Sequence, residues 1–146
     1  MIVPFNYLNY QFKNKKKYFA EWSKLIDTSE FTLGPFIEKF EKKFSKYIGV
    51  KHCISTNNGT DALILSLKSL GIKKGDEVIT VCNSFYATAG AIEASGAKIV
   101  FVDSDERYQI DVEKMKNAIT KKTKAIIPVH WAGASPNMFK IMKIAK

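Results

Sequence analysis

At 146 residues, with 46% hydrophobic and 25% charged side chains, the chain has the size and balance of about one globular domain, able to bury roughly two thirds of the surface it exposes unfolded. No apolar run approaches the roughly 18 residues of a membrane span, and no charged stretch followed by an apolar core opens the chain, so a cytoplasmic protein with no membrane partner is expected. The net charge of +9 raises nucleic acid as a partner, yet Arg107 is the single arginine and the lysines are scattered outside Lys13, Lys15, Lys16 and Lys17, which favours a solvated lysine-rich surface over a phosphate-binding face.

In chain order, residues 2 to 8 predict an extended arm and 15 to 27 a first helix. Pro35 suits a helix start, with Phe36, Phe40, Phe44 and Tyr47 recurring at roughly helical spacing and Gly49 as the stop. Val50 to Thr56 predicts a strand. The run from Thr60 to Leu70 is apolar on most sides and predicts a buried helix ended by Gly71. After the turn at Lys73 to Asp76 comes a strand, Glu77 to Val81, then a small-residue helix from about Tyr86 to Ser95 with Gly96 as its stop. Lys98 to Asp103 predicts another strand, Asp111 caps a helix through Ile119, and Lys124 to Val129 predicts the fourth strand. Ser135 and Pro136 open a helix that still runs at Lys146.

Strands that are nearly all apolar, separated by helical crossovers, imply an α/β fold: three layers, α/β/α, around a mostly parallel sheet. Ligands in such sheets collect at the carboxyl ends of the strands. The segments following the strands are Asn57 to Thr60, Cys82 to Thr88, Asp103 to Glu106 and His130 to Gly133. In the first of these, Gly59 and Thr60 open a helix whose unpaired N–H groups and positive dipole end suit an anion, although Asn, Gly, Thr and Asp also build ordinary caps. Neither GxGxxG nor GxxxxGK[ST] occurs, which weakens dinucleotide and nucleoside triphosphate readings. Cys53 and Cys82 lie in apolar strand-like segments and read as buried free thiols, and no metal-ligand set accompanies them.

The other candidates each carry a bland alternative. Phe85, beside small residues at a strand end, offers either a ring for a flat ligand or a core side chain. His130 reads as a histidine bonded to nearby backbone or as a contact to cofactor or substrate, and His52 as a strand residue. Asp103, Asp105 and Glu106 suit a solvated loop better than acid/base work. Trp131 divides evenly between packing and touching a sugar.

The order of motifs resembles a known family. Phe31-Thr32-Leu33-Gly34-Pro35 with Phe40-Glu41, Asn58-Gly59-Thr60-Asp61-Ala62-Leu63, Gly75-Asp76-Glu77-Val78-Ile79, Ser84-Phe85 with Ala87-Thr88, and Lys124 to His130 with Gly133 and Met138 follow one another. Their sequence and spacing resemble the DegT/DnrJ/EryC1/StrS sugar aminotransferases, pyridoxal phosphate enzymes of the aspartate aminotransferase fold. The resemblance implies that Gly59 and Thr60 hold the phosphate of pyridoxal 5'-phosphate and that Phe85 stacks on its pyridine ring. The chain departs from the family's usual pattern at Val81 or Cys82, at Trp131-Ala132 and at Ser135-Pro136-Asn137, which bears on substrate contacts more than on fold.

Members of that family are more than twice this long. They carry an acidic partner for the pyridine nitrogen on the strand expected just after Lys146, and a Schiff-base lysine in a serine-rich stretch later still. No lysine here has that context, so no catalytic residue is assigned, and the chain reads as the truncated amino-terminal part of the cofactor-binding large domain: arm and first helix over 1–34, α/β core over 35–146. The implied activity of the intact enzyme is transfer of an amino group from an amino acid, glutamate foremost, to a keto sugar, nucleotide-linked, in cell-surface polysaccharide or secondary-metabolite synthesis. Its implied partners are those substrates and either a second copy in a homodimer or a missing carboxyl-terminal part. The alternatives are a non-catalytic binding or assembly remnant of the same fold and, third, a basic nucleic-acid-binding domain.

Overall fold

A computed structural model describes residues 3–146, so Met1 and Ile2, where the expected arm begins, lie outside the described residues. The chain forms two compact units, one ending at Ser55 and the other spanning Thr56–Lys146. The first holds a short helix α1 (Leu8–Gln11), then α2 (Lys15–Thr28) and α3 (Pro35–Ile48). Pro35 occupies the first helical turn, where its missing N–H costs no bond, and Gly49 closes α3 with a left-handed φ of 79° that a side chain would resist. Phe40 and Phe44 stack at 5.5 Å between ring centroids, one helical turn apart. Neither α2 nor α3 contains a buried residue.

The second unit follows the expected alternation: α4 (Gly59–Ser69), β1 (Glu77–Val81), α5 (Tyr86–Ala94), β2 (Lys98–Val102), α6 (Val112–Asn117), β3 (Thr123–Ile127) and α7 (Met138–Ala145). The three strands form a parallel sheet in the order β2-β1-β3. Because successive residues of a strand point to opposite faces, β1 feeds two cores. Val78 packs with Leu67, Ile72, Ala91, Ile92 and Ala97 beneath α4 and α5. Ile79 and Val81 pack with Val102, Ile110, Met115 and Ile141 beneath α6 and α7. The sheet is therefore covered on both faces, the α/β/α arrangement that the apolar strands predict, and every residue of β1 is buried.

Several expectations need correction. Val50 to Thr56 is not a strand: it pairs with no neighbour among the described residues, and Ile54 is 79% exposed. A strand is held by its ladder, so an apolar run without a partner strand stays irregular. His52 therefore lies in no strand and is exposed. Cys82 sits one residue past β1 and is exposed, and Cys53 is half-buried; both are free. The helix α4 is buried only along one stripe, with Leu67 inside and Leu65 and Leu70 outside. The final helix starts at Met138, not Ser135, because Asn137 Oδ1 accepts the Lys140 N–H at 3.1 Å and so supplies the cap.

Candidate cofactor site

The chain enters α4 through Asn58, whose extended backbone leaves its side chain free to cap the helix. Asn58 Oδ1 accepts the Asp61 N–H at 2.9 Å, its Nδ2 donates to Asp61 Oδ2 at 3.1 Å, and its carbonyl accepts the Ala62 N–H at 3.1 Å. Thr56 Oγ1 donates to the same carbonyl at 3.0 Å. Among the described residues no acceptor takes the N–H groups of Gly59 and Thr60 or the Thr60 hydroxyl. A Cβ built on Gly59 would meet nothing within 4 Å, so the helix start opens onto free space. Two free amides, a hydroxyl and the positive end of an eleven-residue helix fit a phosphate group.

Phe85 occupies the N-cap position of α5 in an extended conformation, with its carbonyl accepting the Thr88 N–H at 3.0 Å. Its ring is 65% exposed and leans on Tyr86 at 4.2 Å between centroids. Of the two sequence readings, core side chain or platform, this placement removes the core one, since most of the side chain is open to solvent. The turn is braced beneath it, where Ser84 Oγ and Thr88 Oγ1 lie 2.6 Å apart.

His130 and Trp131 lie together beyond β3. The tight turn Trp131–Gly133 includes Ala132 at a left-handed φ of 50°, and the Gly133 and Ala134 N–H groups donate to the His130 and Trp131 carbonyls. The His130 side chain is exposed and makes no hydrogen bond among the described residues, so the backbone-bonded reading does not hold, and the Trp131 indole is 42% exposed. No hydrogen bond or ring contact joins Gly59 and Thr60 to Phe85 or Trp131; what α4 shares with α5 is the packed face containing Leu67, Ala91 and Ile92.

The acidic loop after β2 is engaged structurally. Lys114 Nζ donates to Asp103 Oδ2 at 3.0 Å, holding the Asp103 carboxyl below its usual range and raising the lysine in return. Asp105 Oδ1 accepts the N–H groups of Gln109 and Arg107 at 3.0 and 2.9 Å, and these bonds, the one from Gln109 foremost, hold it low as well. Both carboxylates are thus fixed as anions closing a loop, as a solvated loop requires. No group of metal-ligating side chains forms among the described residues.

Two residues with no sequence signal tie these loops together. Asn83 Nδ2 donates to the Tyr108 carbonyl at 3.1 Å, and Gln109 Nε2 donates to the Arg107 carbonyl at 3.3 Å and reaches the Trp131 carbonyl at 3.5 Å. A glutamine beside a capping aspartate looks like loop polarity until the fold buries it.

The family profile described as the DegT/DnrJ/EryC1/StrS aminotransferase family matches residues 13–146. The chain belongs to this family. Over 124 residues, 84% of the chain, it is 43% identical to the 3-oxo-glucose-6-phosphate:glutamate aminotransferase of Bacillus subtilis, spanning 28% of that protein. It is 39% identical to the UDP-2-acetamido-2-deoxy-3-oxo-D-glucuronate aminotransferase of Pseudomonas aeruginosa over 99% of its own length and 41% of the relative's. Among solved structures, ntda from Bacillus subtilis with bound cofactor PMP superposes with a TM-score of 0.89 and 39% identity, over 98% of this chain and 34% of that one. The chain thus spans well under half the length of these relatives, and the pyridoxal phosphate dependence of the family rests on the family resemblance.

Proposed function

We propose that the chain is the amino-terminal, cofactor-orienting part of an aminotransferase that moves an amino group from an amino acid, glutamate in the first instance, to the ketone of a nucleotide-linked sugar. The setting would be cytoplasmic synthesis of cell-surface polysaccharide or secondary-metabolite sugars. Support comes from family membership and from one observation: a capped helix start whose Gly59 and Thr60 amides are free, in a unit where a bare Phe85 ring stands at the end of β1. When bound, pyridoxal phosphate supplies the electron sink for amino transfer. The chain's own residues do the positioning. Gly59 and Thr60 hold the phosphate with backbone and hydroxyl donors, and Phe85 covers one face of the pyridine ring. Trp131 and His130, exposed on the turn beyond β3, face the sugar side of the site.

No lysine takes the role of covalent anchor: each lies at a turn, helix face or strand edge. The 146-residue chain by itself therefore binds the cofactor without a covalent bond and has no transaminase activity. Equilibrium dialysis of the chain with pyridoxal phosphate should give saturable binding that inorganic phosphate competes away. Borohydride reduction followed by peptide mapping should give scattered lysine adducts; one unique modified lysine would overturn the proposal.

The partner of the site is either a second copy in a homodimer or a carboxyl-terminal part. Both are favoured by α3, whose Phe36, Phe40, Phe44 and Tyr47 are all exposed on one amphipathic stripe. Size-exclusion chromatography coupled to light scattering distinguishes an associating chain from a monomer.

A further inference from the structure

The loops that follow β1, β2 and β3 are joined by two amide side chains, and one of them is almost fully buried. Gln109 is 2% exposed and lies between the closed acidic loop and the Trp131 turn. Its backbone cannot shift freely: Asp105 accepts its N–H at 3.0 Å and donates its own N–H to the Gln109 carbonyl at 2.7 Å. Its side chain has two carbonyl oxygens, of Arg107 and Trp131, around the amide nitrogen. That environment dictates which end of the amide points where, because an amide oxygen turned toward two carbonyls would be repelled. The cost of this orientation is visible at the other end, since Gln109 Oε1 is buried without a hydrogen-bond partner.

β2 and β3 are the outer strands of the sheet, with β1 between them. A direct tie between their following loops therefore crosses the carboxyl end of β1, where Asn83 fastens the loop before Phe85 to the Tyr108 carbonyl at 3.1 Å. The Trp131 carbonyl already accepts the Ala134 N–H at 2.9 Å inside a turn that places Ala132 at a left-handed φ. A strained turn of this kind persists only where its surroundings over-determine it. We propose that Gln109 is a positioning residue: its buried amide anchors the Trp131 carbonyl and thereby fixes the turn that presents the Trp131 indole and His130 to the ligand side of the sheet. The importance of this for catalysis rests on the substrate-facing role given to Trp131 above; the mechanical coupling does not.

The chain has two tryptophans, so Trp22→Phe leaves Trp131 as the sole reporter. Acrylamide quenching of Trp131 is compared in that background with Gln109→Met, which keeps the side-chain volume and removes the donors, and with Thr80→Val. The Thr80 hydroxyl is buried and donates to the Ile127 carbonyl at 2.9 Å within the same sheet, so its loss weakens the fold without touching the turn. Gln109→Met should raise the quenching constant about twofold at temperatures well below unfolding, with the far-UV circular dichroism retained, and Thr80→Val should leave it unchanged. Equal quenching in the parent and Gln109→Met, or an equal rise in Thr80→Val, would overturn the assignment. Titration of the Trp22→Phe chain with UDP-N-acetylglucosamine separates the two proposals: Trp131 emission that ignores the sugar sinks its substrate role, whereas the Gln109 coupling stands or falls on quenching alone.

Discussion

Asn58 and Asp61 hold each other at the start of α4: the asparagine side chain accepts the Asp61 N–H at 2.9 Å and donates to the Asp61 carboxylate at 3.1 Å. The reciprocal bond consumes one helix-end amide and leaves those of Gly59 and Thr60 free, so capping and anion binding are complementary uses of one turn. Asn58→Ala removes both bonds and should cost about 1 kcal/mol of stability in urea unfolding. It should also weaken pyridoxal phosphate retention, because the amides that hold the phosphate lose their fixed direction.

Phe85 makes its case in the opposite way, by contributing little to the fold. Its side chain is mostly outside, so Phe85→Ala should change the stability measured by urea unfolding by no more than about 0.5 kcal/mol. Loss of a stacking partner should reduce pyridoxal phosphate affinity severalfold, up to about tenfold. Unchanged affinity in equilibrium dialysis would remove Phe85 from the site.

Glu77 is the charged residue that the sheet buries. Its carboxylate accepts the Thr120 hydroxyl at 2.6 Å and lies 3.7 Å from Lys98 Nζ, beside the register shift between Glu77 and Val78 in the β1-β3 pairing. Glu77→Ala removes a hydrogen bond to a charged acceptor and should destabilise by about 1.5–3 kcal/mol. Lys98→Ala, acting on the exposed partner, should cost less than about 1 kcal/mol. Equal effects of the two variants in chemical denaturation would show that the ion pair, and not the hydrogen bond, carries the stability.

Ile79 is fully buried at the centre of β1, on the face covered by α6 and α7. Ile79→Ala should cost about 2–5 kcal/mol, depending on how far Met115 and Ile141 close the space. Val78→Ala tests the opposite core beneath α4 and α5 and should cost less, since fewer methyl groups leave. A thermal melt of each variant checks the order.

Asp105 gives the acid response a location. Its pKa is depressed in the folded chain by the Gln109 and Arg107 N–H groups, so the stability it contributes is present above the ordinary carboxylate range. That contribution is lost as pH falls through the depressed folded value, when the protonated carboxyl no longer accepts both amides. Amide exchange at Arg107 and Gln109, followed by NMR as the pH is lowered, should speed up together. Exchange that stays protected through the acid range would contradict the role given to Asp105.

Much of the second unit could be read from sequence because its signals are local. Glu77 to Val81 is a bounded apolar run and forms β1 with those limits, and Asp111 caps its helix through the Glu113 and Lys114 N–H groups as its position suggests. Val50 to Thr56 carries the same kind of apolar signal and forms no strand, since pairing depends on a neighbour that composition cannot supply. Cys82 shows the same limit on a smaller scale: one residue beyond β1, its N–H still donates to the Val102 carbonyl at 3.0 Å, yet the residue is exposed.

The sequence by itself determined the family, the α/β alternation and the identity of the helix start at Gly59 and Thr60, because periodicity, caps and turn residues act over a few neighbouring positions. Only the tertiary structure decided which apolar run becomes a strand, which ring stands bare and which amide is buried. These depend on contacts between residues far apart in the chain, such as Gln109 with Trp131 and Asn83 with Tyr108, and such contacts exist only once the parallel sheet has brought the ends of β1, β2 and β3 together.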